Sequence, residues 1–340
     1  MMRARPDVHR VSLLRRPAVA VSVLGFGAAQ GGNLGRRTGD EEFSAAVDRA
    51  WRAGVRYFDT APHYGLGLSE QRLGAALRRR PREEFTVSTK VGRLLVPAPE
   101  TAHLSDLAQG GFEVPAAYRR VWDFSRDGVL RSLESSLERT GLDSFDIVYV
   151  HDPDDFARQA LEEALPTLVE LRQQGVIGAI GAGMNQSAML TRFVRESDVD
   201  VVMCAGRYTL LEQGALADLL PAAHERGVGV VIAGVYNSGL LAHDRPPAQA
   251  TYDYAAAPAE VLRRAGEIAD LCEEYGVRLP DAALAFVRGH PSVVSTVVGL
   301  RNPQQVADMV RRARVAVPAG LWEDLKAAGL LAEAATVPAP

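Results

Sequence analysis

The sequence predicts one α/β domain in which eight parallel strands close into a (β/α)8 TIM barrel. From Val21 onward, short runs rich in Val, Ile and Phe alternate with amphipathic stretches, several of which end at a glycine. Runs that alternate with helices at nearly even spacing favour a parallel sheet. An open doubly wound sheet also fits this alternation. The count of eight and the absence of a linker between domains favour the closed barrel.

The strands are predicted in chain order near 23–27, 55–59, 85–89, 146–150, 176–181, 199–203, 228–232 and 294–298. Each of these runs is rich in Val, Ile and Phe and too short for a helix. Between them, apolar residues recur at helical spacing, as they do from Phe43 to Trp51. This pattern predicts helices at 41–53, 68–79, 127–140, 159–174, 213–226, 258–275 and 302–314.

The predicted barrel spans 21–316, between a basic N-terminal segment at 1–20 and a C-terminal tail at 317–340. We expect the first segment to be solvated and the last residues, 334–340, to be disordered. Charge and proline interrupt the only apolar stretch before Val19, which argues against a signal peptide. The basic segment owes its charge to Arg3, Arg5, Arg10, Arg15 and Arg16.

The composition is ordinary for a soluble globular protein, with 47% hydrophobic and 24% charged residues among 340. A net charge of −4 gives no reason to expect nucleic acid or an anionic membrane as a partner. Cys204 and Cys272 belong to no metal-binding or redox spacing, so we expect buried thiols in a reducing cytoplasm and no metal site. The oligomeric state stays open.

Three segments are longer than an ordinary connection: 91–124, 240–257 and 315–340. Long loops on the C-terminal face of a barrel usually shape the substrate pocket. Aromatic residues in the first two segments are therefore candidates for the pocket wall, and packing onto the barrel rim explains them equally well. They are Phe112, Tyr118, Trp122, Phe124, Tyr252 and Tyr254, of which we assign Trp122 and Phe124 to the substrate.

Three polar residues stand at the ends of successive predicted strands, where barrel enzymes place their chemistry: Asp59, Lys90 and His151. Tyr64 follows the first of them in a loop. A free phenol has a pKa near 10, and a close ammonium favours its deprotonated form. We therefore assign Tyr64 as the general acid or base and Lys90 as the group that lowers its pKa.

Asp59 would then hold the ammonium, and His151 would donate a hydrogen bond to the substrate oxygen. His63 lies beside the site, as a substrate contact or a spectator. Each residue taken alone also fits an ordinary structural role. The catalytic assignment therefore depends on the occurrence of all four residues together.

The residues around this group resemble the aldo-keto reductase family. The resemblance is carried by 58–65, which reads FDTAPHYG, and by the following Leu68-Ser69-Glu70 and Leu73-Gly74. Further phrases at 132–139, 151–155, 205–211 and 235–241 resemble the branch that oxidises L-fucose and related aldoses. The resemblance covers roughly residues 20–315. It implies an NAD(P)-dependent oxidoreductase that converts an L-fucose-like aldose to its lactone at C1.

Other functions stay open at this stage. The same machinery would serve a pyridoxal 4-dehydrogenase or a reductase of another aldehyde or ketone. A non-catalytic barrel that binds nicotinamide would have no need for Lys90 beside Tyr64. A metal-dependent barrel hydrolase lacks ligands in the sequence.

A strand end, a glycine and a helix start coincide at 298–303, with Asn302 at the cap and Pro303 at the first position. Backbone N–H groups at such a place can hold an anion. The early glycines near Gly25 lack the spacing of a Rossmann fingerprint.

The resemblance places the cofactor on eight residues: Asn185, Asn237, Ser238, Gly299, Leu300, Arg301, Gln305 and Asp308. Many relatives that prefer NADPH carry arginine where this chain has Gln305. The chain thus favours NAD over NADP, although Arg301 could still pair a 2′-phosphate.

Overall fold

A computed structural model describes residues 8–253 and 255–338. Arg3, Arg5, Tyr254 and the end of the tail at 339–340 lie outside the described residues. Eight parallel strands form a closed barrel, which confirms the predicted fold class. They are β1 Leu24–Gly27, β2 Tyr57–Asp59, β3 Thr86–Val91, β4 Ile147–His151, β5 Ala179–Met184, β6 Val201–Ala205, β7 Gly229–Ala233 and β8 Val293–Gly299.

Neighbours along the chain are neighbours in the barrel, and β8 pairs with β1 to close it. The register of β2 on β3 sets Asp59 opposite Ser88, and that of β3 on β4 sets Lys90 opposite Tyr149. The carboxyl ends of β2, β3 and β4 therefore meet, and they bring the predicted catalytic residues to one face of the barrel.

The fifth strand begins three residues later than predicted, at Ala179, and includes Gly181 and Gly183. The predicted range of 176–181 ended at the first of these two glycines. A Cβ on Gly181 would lie 1.7 Å from the carbonyl oxygen of Val201 on β6. The close approach of the two strands therefore requires glycine, and a glycine-rich sequence lies inside a strand.

Ten main helices surround the barrel in the described part of the chain. They are α1 Asp40–Arg52, α2 Leu68–Leu77, α3 Arg126–Thr140, α4 Leu165–Gln173, α5 Ser187–Glu196, α6 Leu219–Arg226, α7 Ala259–Glu274, α8 Leu279–Val287, α9 Pro303–Arg312 and α10 Ala319–Ala327. The single helices predicted at 159–174 and 213–226 are each broken into shorter elements. A short helix at Ala157–Gln159 and a π-helical turn precede α4, and a 3₁₀ turn at Gly214–Leu216 precedes α6. We had not predicted α5, α8 and α10.

Residues 10–20 are not a solvated segment, as we had expected, but part of a β-hairpin. Strand Arg10–Leu13 pairs with Arg16–Ser22, and Leu13 and Val21 are fully buried. They pack against residues that begin barrel strands, such as Ile147. The hairpin thus closes the N-terminal end of the barrel and buries apolar surface there.

Long connections lie on the C-terminal face, as predicted. After β3, the strands Arg93–Pro97 and Tyr118–Trp122 pair as an antiparallel hairpin, which we call the insertion hairpin. The tail differs from its prediction, because α10 buries Leu321 and Trp322, and Ala335 is 4% exposed. Burial of Ala335 contradicts the disorder expected from residue 334 onward.

Candidate active site

Lys90 and Asp59 form a buried ion pair at the ends of β3 and β2. The Lys90 ammonium donates to the two carboxylate oxygens at 2.8 and 2.7 Å and to the Thr60 carbonyl oxygen at 3.0 Å. The side chains are only 2% and 4% exposed. Burial lowers the pKa of Lys90 and the Asp59 carboxylate raises it, with a net shift upward. The ammonium therefore stays charged at neutral pH.

A chain of buried hydroxyl groups supports Asp59 from inside the barrel. The Ser88 hydroxyl lies 2.7 Å from a carboxylate oxygen of Asp59 and 3.1 Å from the Tyr57 hydroxyl, which lies 3.0 Å from that of Tyr149. A serine has one proton to donate, and the carboxylate takes it. Tyr57 must then donate to Ser88, and Tyr149 to Tyr57.

Burial raises the pKa of both tyrosines, which keeps them protonated as this order requires. We did not predict this chain from the sequence. The sequence contained a signal for it, because Tyr57 and Asp59 are two residues apart in β2 and their side chains therefore point to the same face of the strand.

Tyr64 lies in the loop after β2, half-buried, with its ring centroid 4.9 Å from the Lys90 Nζ atom. Burial raises the pKa of Tyr64 to about 12, while the Lys90 charge acts to lower it. The ammonium thus acts in the predicted direction, but burial outweighs it, and the net shift of the pKa is upward. The phenol is protonated at neutral pH. Gly65 holds the loop in place with a φ of 63°, where a Cβ would lie 2.3 Å from the Gly32 carbonyl oxygen.

Two histidine rings stand beside Tyr64. The rings of His151 and Tyr64 are perpendicular with centroids 5.9 Å apart, and the His63 ring is 5.8 Å from that of His151. Burial, reinforced by the charge of Arg93, lowers the pKa of His151 well below its usual range and that of His63 to about 2. Both rings are therefore neutral at physiological pH. A neutral ring that carries its proton on the nitrogen facing a substrate oxygen can donate to that oxygen.

The two aromatic residues assigned to the substrate differ in position. Trp122, at the end of the insertion hairpin, is 40% exposed, and the Arg93 guanidinium carbon lies 4.3 Å from its ring centroid. Phe124 is fully buried and stacks against Trp122, with centroids 5.9 Å apart. The structure corrects the assignment of Phe124, whose side chain supports Trp122 and offers no surface to a substrate.

The segment assigned to the adenosine phosphate lies at the end of β8 and the start of α9. Gly299 is exposed, Leu300 is buried, and Asn302 caps α9 by accepting the Gln305 N–H at 2.9 Å. Gln305 in turn accepts the Arg301 backbone N–H at 2.8 Å. Asp308 lies on the exposed side of α9, 3.4 Å from Gln304.

The Arg301 guanidinium is already engaged with the loop before α1. It donates to the carbonyl oxygens of Leu34 at 2.6 Å and Arg36 at 2.8 Å, and to the Thr38 hydroxyl. Its side chain therefore ties two loops of the C-terminal face together. In this arrangement, Arg301 does not offer its guanidinium to a 2′-phosphate, contrary to the possibility left open above.

The other three residues assigned to the cofactor follow β5 and β7 on the same face. Asn185 is half-buried and Ser238 is exposed. Asn237 adopts a φ of 42°, donates to the Gly206 carbonyl oxygen at 3.2 Å and accepts the Thr209 hydroxyl at 2.7 Å. Asn237 thus joins the loops after β6 and β7, which is a structural role beside its assigned one.

This arc of residues fits a nicotinamide cofactor. Gln30 places a buried carboxamide oxygen, without a hydrogen-bond partner in the described part of the chain, beside exposed Gly299. A ligand that lies along the strand ends could satisfy it.

Within residues 8–253 and 255–338, no cluster of three metal-ligating side chains occurs. No helix in these ranges is both long and apolar enough to cross a membrane.

Comparison with known proteins adds an independent observation. Residues 23–328 match the aldo/keto reductase family. A D-threo-aldose 1-dehydrogenase from a Pseudomonas species is 47% identical over 95% of this chain and 96% of its own length. A pyridoxal 4-dehydrogenase from Microbacterium luteolum is 37% identical over 94% of this chain and 97% of its own length. A solved structure of an aldo-keto reductase from Bacillus halodurans superposes with a TM-score of 0.71 at 24% identity, covering 94% of this chain and 96% of its own. This likeness shows the fold alone.

Proposed function

The chain belongs to the aldo/keto reductase family and is an NAD(P)-dependent oxidoreductase; from this premise we propose that it is an aldose 1-dehydrogenase. Its substrate would be an L-fucose-like sugar, oxidised at C1 to the lactone. The observation that supports this proposal is the buried pair of Lys90 and Asp59 beneath Tyr64, with the neutral ring of His151 at right angles. The 47% identical relative supports the choice of an aldose.

In this mechanism, the anomeric hydroxyl lies between Tyr64 and His151. His151 orients the oxygen by a hydrogen bond, and Tyr64 takes the hydroxyl proton as C1 loses its hydrogen as hydride. When bound, the nicotinamide cofactor supplies the acceptor for that hydride. Lys90 stabilises negative charge on the Tyr64 oxygen, and Asp59 keeps Lys90 in place. In the reverse direction, protonated Tyr64 donates to the oxygen of a carbonyl substrate.

The pKa of Tyr64 gives this mechanism a direction of pH dependence. Oxidation needs the deprotonated phenol, and the pKa of about 12 leaves little of it at neutral pH. The oxidation rate is therefore expected to rise with pH above neutrality. Reduction, which uses the protonated phenol, is expected to stay level over the same range.

We also propose that NAD is the preferred cofactor. Pairing of Arg301 with a 2′-phosphate would break its contacts to Leu34, Arg36 and Thr38. Gln305 carries no charge that could replace it. Binding of NADP would thus lose hydrogen bonds that binding of NAD leaves intact.

A pyridoxal 4-dehydrogenase is the second candidate. The half-exposed ring of Trp122 beside the site could stack on a pyridine ring. The 37% identical relative that oxidises pyridoxal supports this alternative.

The experiment is to follow reduced nicotinamide by absorbance, using purified enzyme with NAD or NADP and L-fucose, D-arabinose, L-galactose or pyridoxal. Reduction of NAD with at least one sugar is the expected result. Turnover of pyridoxal alone would favour the second candidate. Cofactor binding without turnover of any of the four compounds would contradict both, and the substrate would then be another carbonyl compound.

A further inference from the structure

Asp152 is fixed beside the catalytic histidine by its backbone. It follows His151 directly and adopts a φ of 41°, a conformation that residues other than glycine seldom adopt. Its N–H donates to the Gly183 carbonyl oxygen at 3.0 Å. As a result, one carboxylate oxygen lies 3.6 Å from the His151 Nε2 atom.

Arg93 faces this carboxylate from the insertion hairpin. Its guanidinium donates to Asp152 and lies over the Trp122 ring. The side chains of Arg93 and Asp152 are 13% and 29% exposed, so the pair lies in the wall of the site without being sealed off. Lys90 and Asp154 are the other charged groups that act on the carboxylate.

We propose that Arg93 and Asp152 form a binding site for the hydroxyl next to the reacting carbon. The inference rests on the proposed function, since it starts from an anomeric oxygen bound at His151. In an aldose, three bonds separate the C2 hydroxyl oxygen from the anomeric oxygen. Because the Asp152 carboxylate lies 3.6 Å from the His151 Nε2 atom, the C2 hydroxyl comes within reach of that carboxylate. A hydroxyl both donates and accepts, and it meets an acceptor in Asp152 and a donor in Arg93.

This site would select aldoses with a free hydroxyl at C2. The exposed face of Trp122 beside Arg93 adds an apolar surface for the C–H face of a sugar ring. A substrate without the vicinal hydroxyl forms neither of these two hydrogen bonds and should react more slowly.

The test compares wild type with Asp152→Asn on an aldose and on its 2-deoxy counterpart. Asp155→Asn is the matched control, an exposed acid in the same loop. We expect Asp152→Asn to lower kcat/KM for the aldose by about 10- to 100-fold, as for a lost charged hydrogen bond. The 2-deoxy substrate should change by less than about 3-fold, and the control should change neither. A second variant, Arg93→Lys, keeps the positive charge but loses the planar, two-pronged donor geometry of the guanidinium. Like Asp152→Asn, it should slow the aldose more than the 2-deoxy substrate, but by a smaller factor.

Two results would overturn the inference, and they differ. If Asp152→Asn slows both substrates equally and shifts the pH profile, the carboxylate acts through His151 and binds no hydroxyl. If the wild type oxidises no aldose at all, the proposed function fails and the hydroxyl site fails with it. Circular dichroism of each variant separates these outcomes from loss of folding.

Discussion

Replacement of Asp59 by Asn tests whether the buried ion pair is the electrostatic centre of this fold. The variant removes the negative charge of the carboxylate that accepts two Lys90 N–H bonds, at 2.8 and 2.7 Å. The ammonium then keeps only neutral acceptors, among them the Thr60 carbonyl oxygen at 3.0 Å. Breaking a buried pair by removing one partner costs about 3–5 kcal/mol, because an uncompensated charge remains buried. We expect a loss of that size in the free energy of unfolding.

Urea unfolding at neutral pH, followed by far-UV circular dichroism, measures this loss. The double variant Asp59→Asn/Lys90→Met is the control that isolates the electrostatic part. Because it removes both charges, it should be more stable than Asp59→Asn alone and lie within about 2 kcal/mol of wild type. A loss below about 1 kcal/mol in the single variant, or a larger loss in the double variant, would refute the reasoning.

Three further predictions follow from the same contacts. Phe124→Ala should cost about 3–5 kcal/mol of unfolding free energy, whereas Trp122→Ala should cost less and raise the KM of the sugar; equal losses on urea unfolding would contradict their different burial. The folded pKa of His63, about 2, lies below its unfolded value of about 6.5, so stability should fall as pH drops below 6.5, by up to about 1.4 kcal/mol per unit. His63→Gln should make unfolding curves measured across that range less pH-dependent, and an unchanged pH dependence would contradict the burial argument. Arg301→Gln should lower the melting temperature and weaken NAD and NADP equally in binding titrations, whereas a selective loss of NADP would show that Arg301 binds the 2′-phosphate.

The alternation of apolar runs and helices was enough to predict the barrel, because parallel strands are buried on both faces and leave strong signals. β5 was predicted three residues too early, because Gly183 lies inside the strand and glycine usually signals a loop. The hairpin at 10–22 was missed because five arginines dominate its neighbourhood, whereas Leu13 and Val21 carry its packing.

Of the candidate site, the meeting of Asp59 and Lys90 followed from their positions at neighbouring strand ends. The raised pKa of Tyr64 could not be predicted from these positions, because a sequence shows the nearby ammonium but not the burial that outweighs it. Local sequence patterns also could not predict that Arg301 donates hydrogen bonds to a loop more than 260 residues away in sequence. Contacts of this kind depend on the closed barrel, which brings β8 next to β1.

The central claim is that Tyr64 moves the proton when this enzyme oxidises a sugar. The most direct measurement is kcat for an aldose in Tyr64→Phe, alongside fluorescence titration of cofactor binding. The account predicts a fall of about 10²- to 10⁴-fold in kcat with an unchanged Kd for the cofactor, because the variant loses only the hydroxyl. A rate close to that of wild type would contradict it.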